Sequence, residues 1–90
     1  MFEFPDVIEY TAYNIAPRSE DKRIRVFGGQ LQDSIIDNTT LQSFNWSIGF
    51  YFKNGINLIK KFPHREIELN QIMMEFWRRM QIKFKQLQEK

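Results

Sequence analysis

The chain contains no cysteine and a single histidine in 90 residues. Disulfides and thiolate metal sites therefore cannot contribute to its stability, and the absence of cysteine fits a reducing compartment. Because His64 has no second imidazole to join it, a metal site built on paired histidines is excluded as well. We expect neither a metal nor a cofactor.

Long apolar runs are also lacking. No segment approaches the roughly 20 apolar residues of a membrane span. Residues 1–30 show no basic start followed by an apolar stretch, which a signal peptide would require. The sequence predicts a soluble, cytoplasmic protein of one domain, residues 1–90, close to the lower size limit for folding without cross-links.

Motifs of catalysis are missing too. No Gly-x-Ser-x-Gly elbow occurs, and Gly28-Gly29 is not followed by a phosphate-binding pattern. His64 with Glu66 and Glu68 forms a non-specific fragment, interpreted as a solvated histidine near a helix start. The sequence predicts a protein without enzymatic activity.

Aromatic residues, in contrast, are abundant: nine Phe, two Trp and three Tyr. Each ring can bury on the order of 150–250 Å², so a domain of this size cannot enclose them all and we expect some at an interface.

Charge is uneven, although its sum is only +2. Residues 1–52 carry four basic and seven acidic side chains, and residues 53–90 carry nine and four. Such polarity would attract an anionic partner, or pair two copies head to tail.

Alternation of apolar and polar residues predicts a strand over Leu41–Lys53, with one face of a sheet covered. The Asn54-Gly55 pair is typical of a turn, and a three-residue loop over 53–55 keeps apolar groups of a hairpin at 41–62 on one face. The apolar face of the strand consists of Phe44, Trp46, Ile48, Phe50 and Phe52.

Three weaker strands are predicted upstream, at Asp6–Ile15, Lys22–Phe27 and Gln30–Asp37, separated by a loop at 16–21 and by a tight turn at Gly28-Gly29. A further turn is expected over Asp37–Thr40. The third of these strands has an alternative, since its apolar residues also suit a helical turn; these are Leu31, Ile35 and Ile36.

A helix is predicted over Glu66–Gln88, after Pro63 ends the hairpin. The predicted fold class is therefore α+β: an antiparallel β-meander of four or five strands (about 6–62) packed on one long C-terminal α-helix (about 64–88). One broad arc of the helix would cover the sheet. It consists of Leu69, Ile72, Met73, Phe76, Trp77, Met80, Phe84 and Leu87.

Ile67, Met74 and Ile82 fall on the opposite side of this helix, near Arg78. Three isolated apolar residues are common on protein surfaces, but they also suit a second contact surface. A helix of 23 residues spans roughly 35 Å, more than the roughly 30 Å of a compact domain of this size. The end beyond about Lys83 is thus expected to overhang unless a partner receives it.

The function predicted from these observations is a small non-enzymatic protein-binding module, of an inhibitor, adaptor or immunity type suited to a microbial or phage accessory protein. Its partner is another protein or a second copy. The interface candidates are Ile67, Met74, Arg78, Ile82 and, as an exposed ring of the sheet, Tyr51.

Nucleic-acid binding is the alternative, with Tyr51 stacking on a base. Against it, the net charge is modest, and Glu75 precedes Arg79 at a spacing that forms ion pairs on a helix. A small-molecule pocket between sheet and helix stays open. The basic candidates for nucleic acid are Lys53, Lys60, Lys61, Arg65, Arg79, Lys83 and Lys85.

Overall fold

Helices replace the predicted sheet throughout residues 20–89, the part of the chain that the computed structural model describes, and no strand lies in that range. The α+β prediction with its antiparallel meander is therefore wrong, while the strand predicted at Asp6–Ile15 lies outside the described residues. The elements are α1 (Glu20–Val26), a π-helical segment (Phe27–Leu31), α2 (Gln32–Asn38), α3 (Phe44–Lys61), a 3-10 turn (Pro63–Arg65) and α4 (Glu66–Gln88).

α1, the π segment and α2 form one continuous helical stretch, since Val26, Leu31 and Gln32 at their junctions all keep right-handed helical backbone angles. Strands at 22–27 and 30–37 are thus wrong, and the helical alternative for the latter is right. Spacing explains the outcome, because the buried apolar residues recur every three or four positions. The residues at this spacing are Ile24, Phe27, Leu31 and Ile35, and Val26 and Ile36 are buried beside them.

Gly28-Gly29 lies inside the π segment and is not the tight turn that was predicted. A methyl group added at Gly28 would lie 3.3 Å from two carbon atoms of Ile72 in α4, whereas one at Gly29 would meet nothing within 4 Å. The first glycine therefore lets α4 approach the π segment closely.

The turn predicted at Asp37–Thr40 overlaps the break between helices only in part, because Asp37 and Asn38 belong to α2 and the break covers residues 39–43. Thr39 ends α2 with an extended backbone, φ −76° and ψ 134°. Thr40 and Ser43 then exchange hydrogen bonds: the Thr40 amide donates to Ser43 Oγ over 2.9 Å, and the Ser43 amide donates to Thr40 Oγ1 over 3.2 Å. This reciprocal pattern resembles a capping box, but it closes the turn before α3, and the N-cap residue Ser43 makes no side-chain hydrogen bond to the helix.

α3 occupies most of the segment predicted as a hairpin. Its buried positions follow a helical period, but three of the five carry a polar or very small residue, so the apolar pattern did not mark them. The aromatic residues that alternate in sequence point in different directions round the helix instead of forming one face. The buried residues of α3 are Ser47, Tyr51, Asn54, Gly55 and Leu58.

Asn54-Gly55 is a buried pair in the middle of α3, not a turn. The Asn54 side-chain amide donates to the Phe50 carbonyl one turn earlier, over 3.0 Å, so its polar group is satisfied locally. A methyl group at Gly55 would overlap Met73 of α4 and lie 3.1 Å from the Phe27 ring. Gly55 therefore marks a close approach of three helical segments rather than a reversal of the chain.

The predicted helix Glu66–Gln88 is confirmed as α4. Half of its predicted arc is buried, namely Leu69, Met73, Phe76 and Met80, although the arc covers helices and not a sheet. The sequence predicts that α4 overhangs beyond Lys83. The first turn after Lys83 does not, because the Phe84 ring packs on Phe44 of α3 at a centroid distance of 4.4 Å.

Two glycines of α3 should respond in opposite ways to alanine. Gly49 has nothing within 4 Å of an added methyl group, so Gly49→Ala should raise the free energy of unfolding by about 0.5–1 kcal/mol through helix propensity. Gly55→Ala should lower it by about 1 kcal/mol or more, because Met73 and Phe27 occupy the space. Urea unfolding of both variants, followed by circular dichroism, measures the difference. Equal shifts for the two variants would contradict the close approach at Gly55.

Candidate functional site

An open apolar groove of about 720 Å³ runs along the junction of α3 and α4. Three of its side chains are large, apolar and substantially exposed: Ile56 at 50%, Met74 at 69% and Trp77 at 46%. Only one of the groove residues is polar. The groove is lined by Phe52 and Ile56 of α3 and by Asn70, Met73, Met74 and Trp77 of α4.

The helical hairpin positions these side chains. Because Phe62–Arg65 reverses the chain within four residues, α3 and α4 lie antiparallel, and Phe52 and Ile56 stand one turn apart on the side of α3 that meets α4. Ring contacts fix the deeper end of the groove. Phe52 approaches Phe76 at a centroid distance of 6.3 Å and approaches Trp77 edge-on at 6.5 Å.

The apolar stripe predicted on the outer face of α4 is exposed, and the structure divides it. Ile67 is 77% and Ile82 57% exposed. Met74 lines the groove toward α3, whereas Ile82 lies in a separate cleft beside α2 that contains Ile36. Arg78 is exposed one turn after Met74. Met74 and Ile82 therefore belong to different surfaces.

The exposure of Trp77 and Ile56 is not predicted by the sequence pattern, since Trp77 falls within the arc expected to cover the sheet and Ile56 within the predicted hairpin at 41–62. The position of Trp77 indicates its exposure: at 100° per residue it lies at the edge of the arc, about 70° from the mean direction of the buried residues of α4.

Tyr51 is not an exposed ring, as the strand interpretation required, but lies at the centre of the core with 0% exposure. Its ring stacks between Phe27 and Phe76, with centroid distances of 4.3 and 3.9 Å. Its hydroxyl donates to the Phe27 carbonyl and accepts from the Gln32 side-chain amide over 3.1 Å. Tyr51 is therefore available neither to a protein partner nor to a base.

Burial raises the pKa of the Tyr51 hydroxyl well above its ordinary value of 10.0, and the hydrogen bond from Gln32 offsets part of that rise. Gln32 in turn accepts a hydrogen bond from Arg79 over 2.7 Å, which joins the buried phenol to the surface. Within the described residues, every buried side-chain nitrogen and oxygen has a hydrogen-bond partner.

The basic candidates fall into two groups. Arg79 pairs with Asp33 of α2 at 2.8 Å, and Arg65 pairs with Glu68 at 2.7 Å. Arg79 thus connects α4 to α2, a contact that the sequence did not suggest. Lys83 is half-buried in the cleft beside Ile36 and Asp37. The exposed basic candidates are Lys53, Lys60, Lys61 and Lys85.

Other chemistry finds little support in residues 20–89. His64 is exposed in the 3-10 turn, as expected, and no three of the residues that commonly ligate metals come together there. None of the helices described is both long and apolar enough to cross a membrane.

Comparison with known proteins does not assign the chain to a family: no family model matches it, and neither curated proteins nor solved structures give a significant match.

The buried phenol should make stability depend on alkaline pH. Because the pKa of Tyr51 is higher in the folded than in the unfolded protein, its contribution is complete below about pH 10 and is lost as the pH rises further. Above pH 10 the wild type should lose up to about 1.4 kcal/mol of unfolding free energy per pH unit more than Tyr51→Phe does. Urea unfolding between pH 8 and 11, at intervals of about half a unit, measures both curves. Parallel curves would show that the phenol is accessible.

Proposed function

We propose that this protein is a non-enzymatic protein-binding module and that the α3/α4 groove is its binding site. The observation that carries the proposal is the exposure of Ile56, Met74 and Trp77 side by side along one groove. Single exposed apolar residues are ordinary, but a contiguous group that lines a concave surface is typical of an interaction site.

The residue types support a protein partner. Trp is enriched among the residues that dominate binding energy at interfaces, and Met side chains adapt to differently shaped apolar groups. Covering the exposed half of a side chain such as Ile56 or Trp77 stabilises a complex by about 1 kcal/mol. A partner that covers the whole groove thus has several such contributions available.

A small-molecule site or an active site is less well supported by the same groove. Binding pockets for small molecules place several polar groups so that they converge on the ligand, whereas Asn70 is the one polar side chain among the groove residues. No candidate acid, base or nucleophile lines it. The nucleic-acid alternative retains its lysines, but Tyr51 no longer offers it a stacking ring.

Selection from a displayed library of helical peptides tests the proposal without a known partner. We expect most peptides selected on the wild-type protein to bind Met74→Glu about tenfold more weakly or worse, because a carboxylate would be placed among apolar contacts. Fluorescence anisotropy with the labelled peptides measures each affinity.

Ile82→Glu is the matched control for this experiment, since it makes the same chemical change on an exposed apolar residue of the same helix but outside the groove. Its affinity should stay within about twofold of the wild type. Circular dichroism verifies that both variants fold. Peptides that are weakened by Ile82→Glu and not by Met74→Glu would show that another surface binds protein.

A further inference from the structure

The rim of the α3/α4 groove carries basic side chains on both sides. Lys53 and Lys60 lie three residues before and four residues after Ile56, so they flank it on the outer face of α3. Arg78 lies four residues after Met74 on α4. All three are exposed.

Acidic groups near the groove are few. α3 contains no acidic residue at all. On α4, Glu68 is paired with Arg65, and Glu75 points about 100° away from Met74. Glu66, one turn before Asn70, lies at the end of the groove where Lys60 is also found. At the opposite end, Lys53 has no acid on its own helix, whereas Glu75 lies three residues before Arg78 on α4, a spacing at which side chains are neighbours.

The shape of the groove suits a helix. On α4, Ile72 and Arg79 contact the π segment and α2, whereas Met74 points roughly 140–160° away from both of them. The π segment and α2 thus pack along one side of the α3/α4 pair, and the groove follows the other side. A further helix placed there would complete a bundle-like arrangement.

A second copy of the chain is a poor occupant. A symmetric dimer through this groove would bring the same surface of both protomers together, so the basic rims formed by Lys53, Lys60 and Arg78 would meet within one interface. Like charges brought together at an interface cost several kcal/mol. The rim therefore favours a partner of opposite charge.

We propose that the occupant of the groove is an acidic amphipathic helix of another protein; this inference depends on the function proposed above. Apolar residues at positions i, i+3 or i+4, and i+7 of that helix cover Ile56, Met74 and Trp77. Its carboxylates lie against Lys53 and Arg78 at one end of the groove and against Lys60 at the other.

Three synthetic peptides of about 18 residues, or five helical turns, test the charge of the occupant. All share one face of Leu and Phe and differ only in the opposite face, which carries Glu, Gln or Lys. We expect the Glu peptide to bind about tenfold more tightly than the Gln peptide, and the Lys peptide to bind most weakly. Added salt should reduce the preference. Fluorescence anisotropy measures the three affinities.

Two double variants test which basic residues cause the preference for the Glu peptide. Lys53→Gln with Arg78→Gln should remove most of the preference for Glu over Lys, while binding of the Gln peptide changes little. Arg25→Gln with Lys83→Gln removes the same charge from positions outside the groove and should leave the preference largely intact. An equal effect of both variants would attribute the preference to net charge alone and overturn the inference.

The remaining outcomes separate this inference from the proposed function. Equal binding of all three peptides, lost in Met74→Glu, would keep the groove as a protein-binding site and overturn its acidic occupant. Binding that ignores Met74→Glu would overturn both. A dimer of twice 11.0 kDa by light scattering, dissociated by Met74→Glu, would make a second copy the occupant. Displacement of the Glu peptide by a single-stranded oligonucleotide would assign the rim to nucleic acid.

Discussion

One buried phenol holds the helices of this protein together. Tyr51 of α3 stacks between Phe27 of the π segment and Phe76 of α4, and its hydroxyl hydrogen bonds to the Phe27 carbonyl and the Gln32 amide. The buried hydroxyl is thus satisfied by a backbone carbonyl and a side-chain amide from the preceding helical stretch. These directional bonds fix the position of α3 relative to that stretch more specifically than apolar contact does.

Sequence reasoning predicted α4 with its bounds and most of its buried face, because there the apolar residues and the helical period coincide. It failed for α3, where the buried positions belong to Tyr51, Asn54 and Gly55 rather than to the aromatic residues that alternate beside them. Small residues are needed where helices approach closely. Because they are not strongly apolar, their helical spacing does not appear in a hydrophobicity pattern. Asn54-Gly55, a strong turn signal elsewhere, serves here as a packing site.

The candidate site was predictable only in part, for the same reason. Met74 and Arg78 could be identified from α4 alone, as residues outside its buried arc. The groove could not be predicted, because it includes Phe52 and Ile56 of α3, a helix whose alternating sequence pattern is typical of a strand. Ile82 was grouped with Met74 by its position on α4, and only the placement of α2 separates the two.

Met73 belongs to two environments at once. Its side chain fills the space that Gly55 leaves open in the core, and it also forms part of the floor of the groove. Met74 and Ile56 are exposed, so a change at either position leaves the core intact. A change at Met73 alters the spacing of α3 and α4 as well. Substitutions at the floor of the groove therefore require matching substitutions in the core.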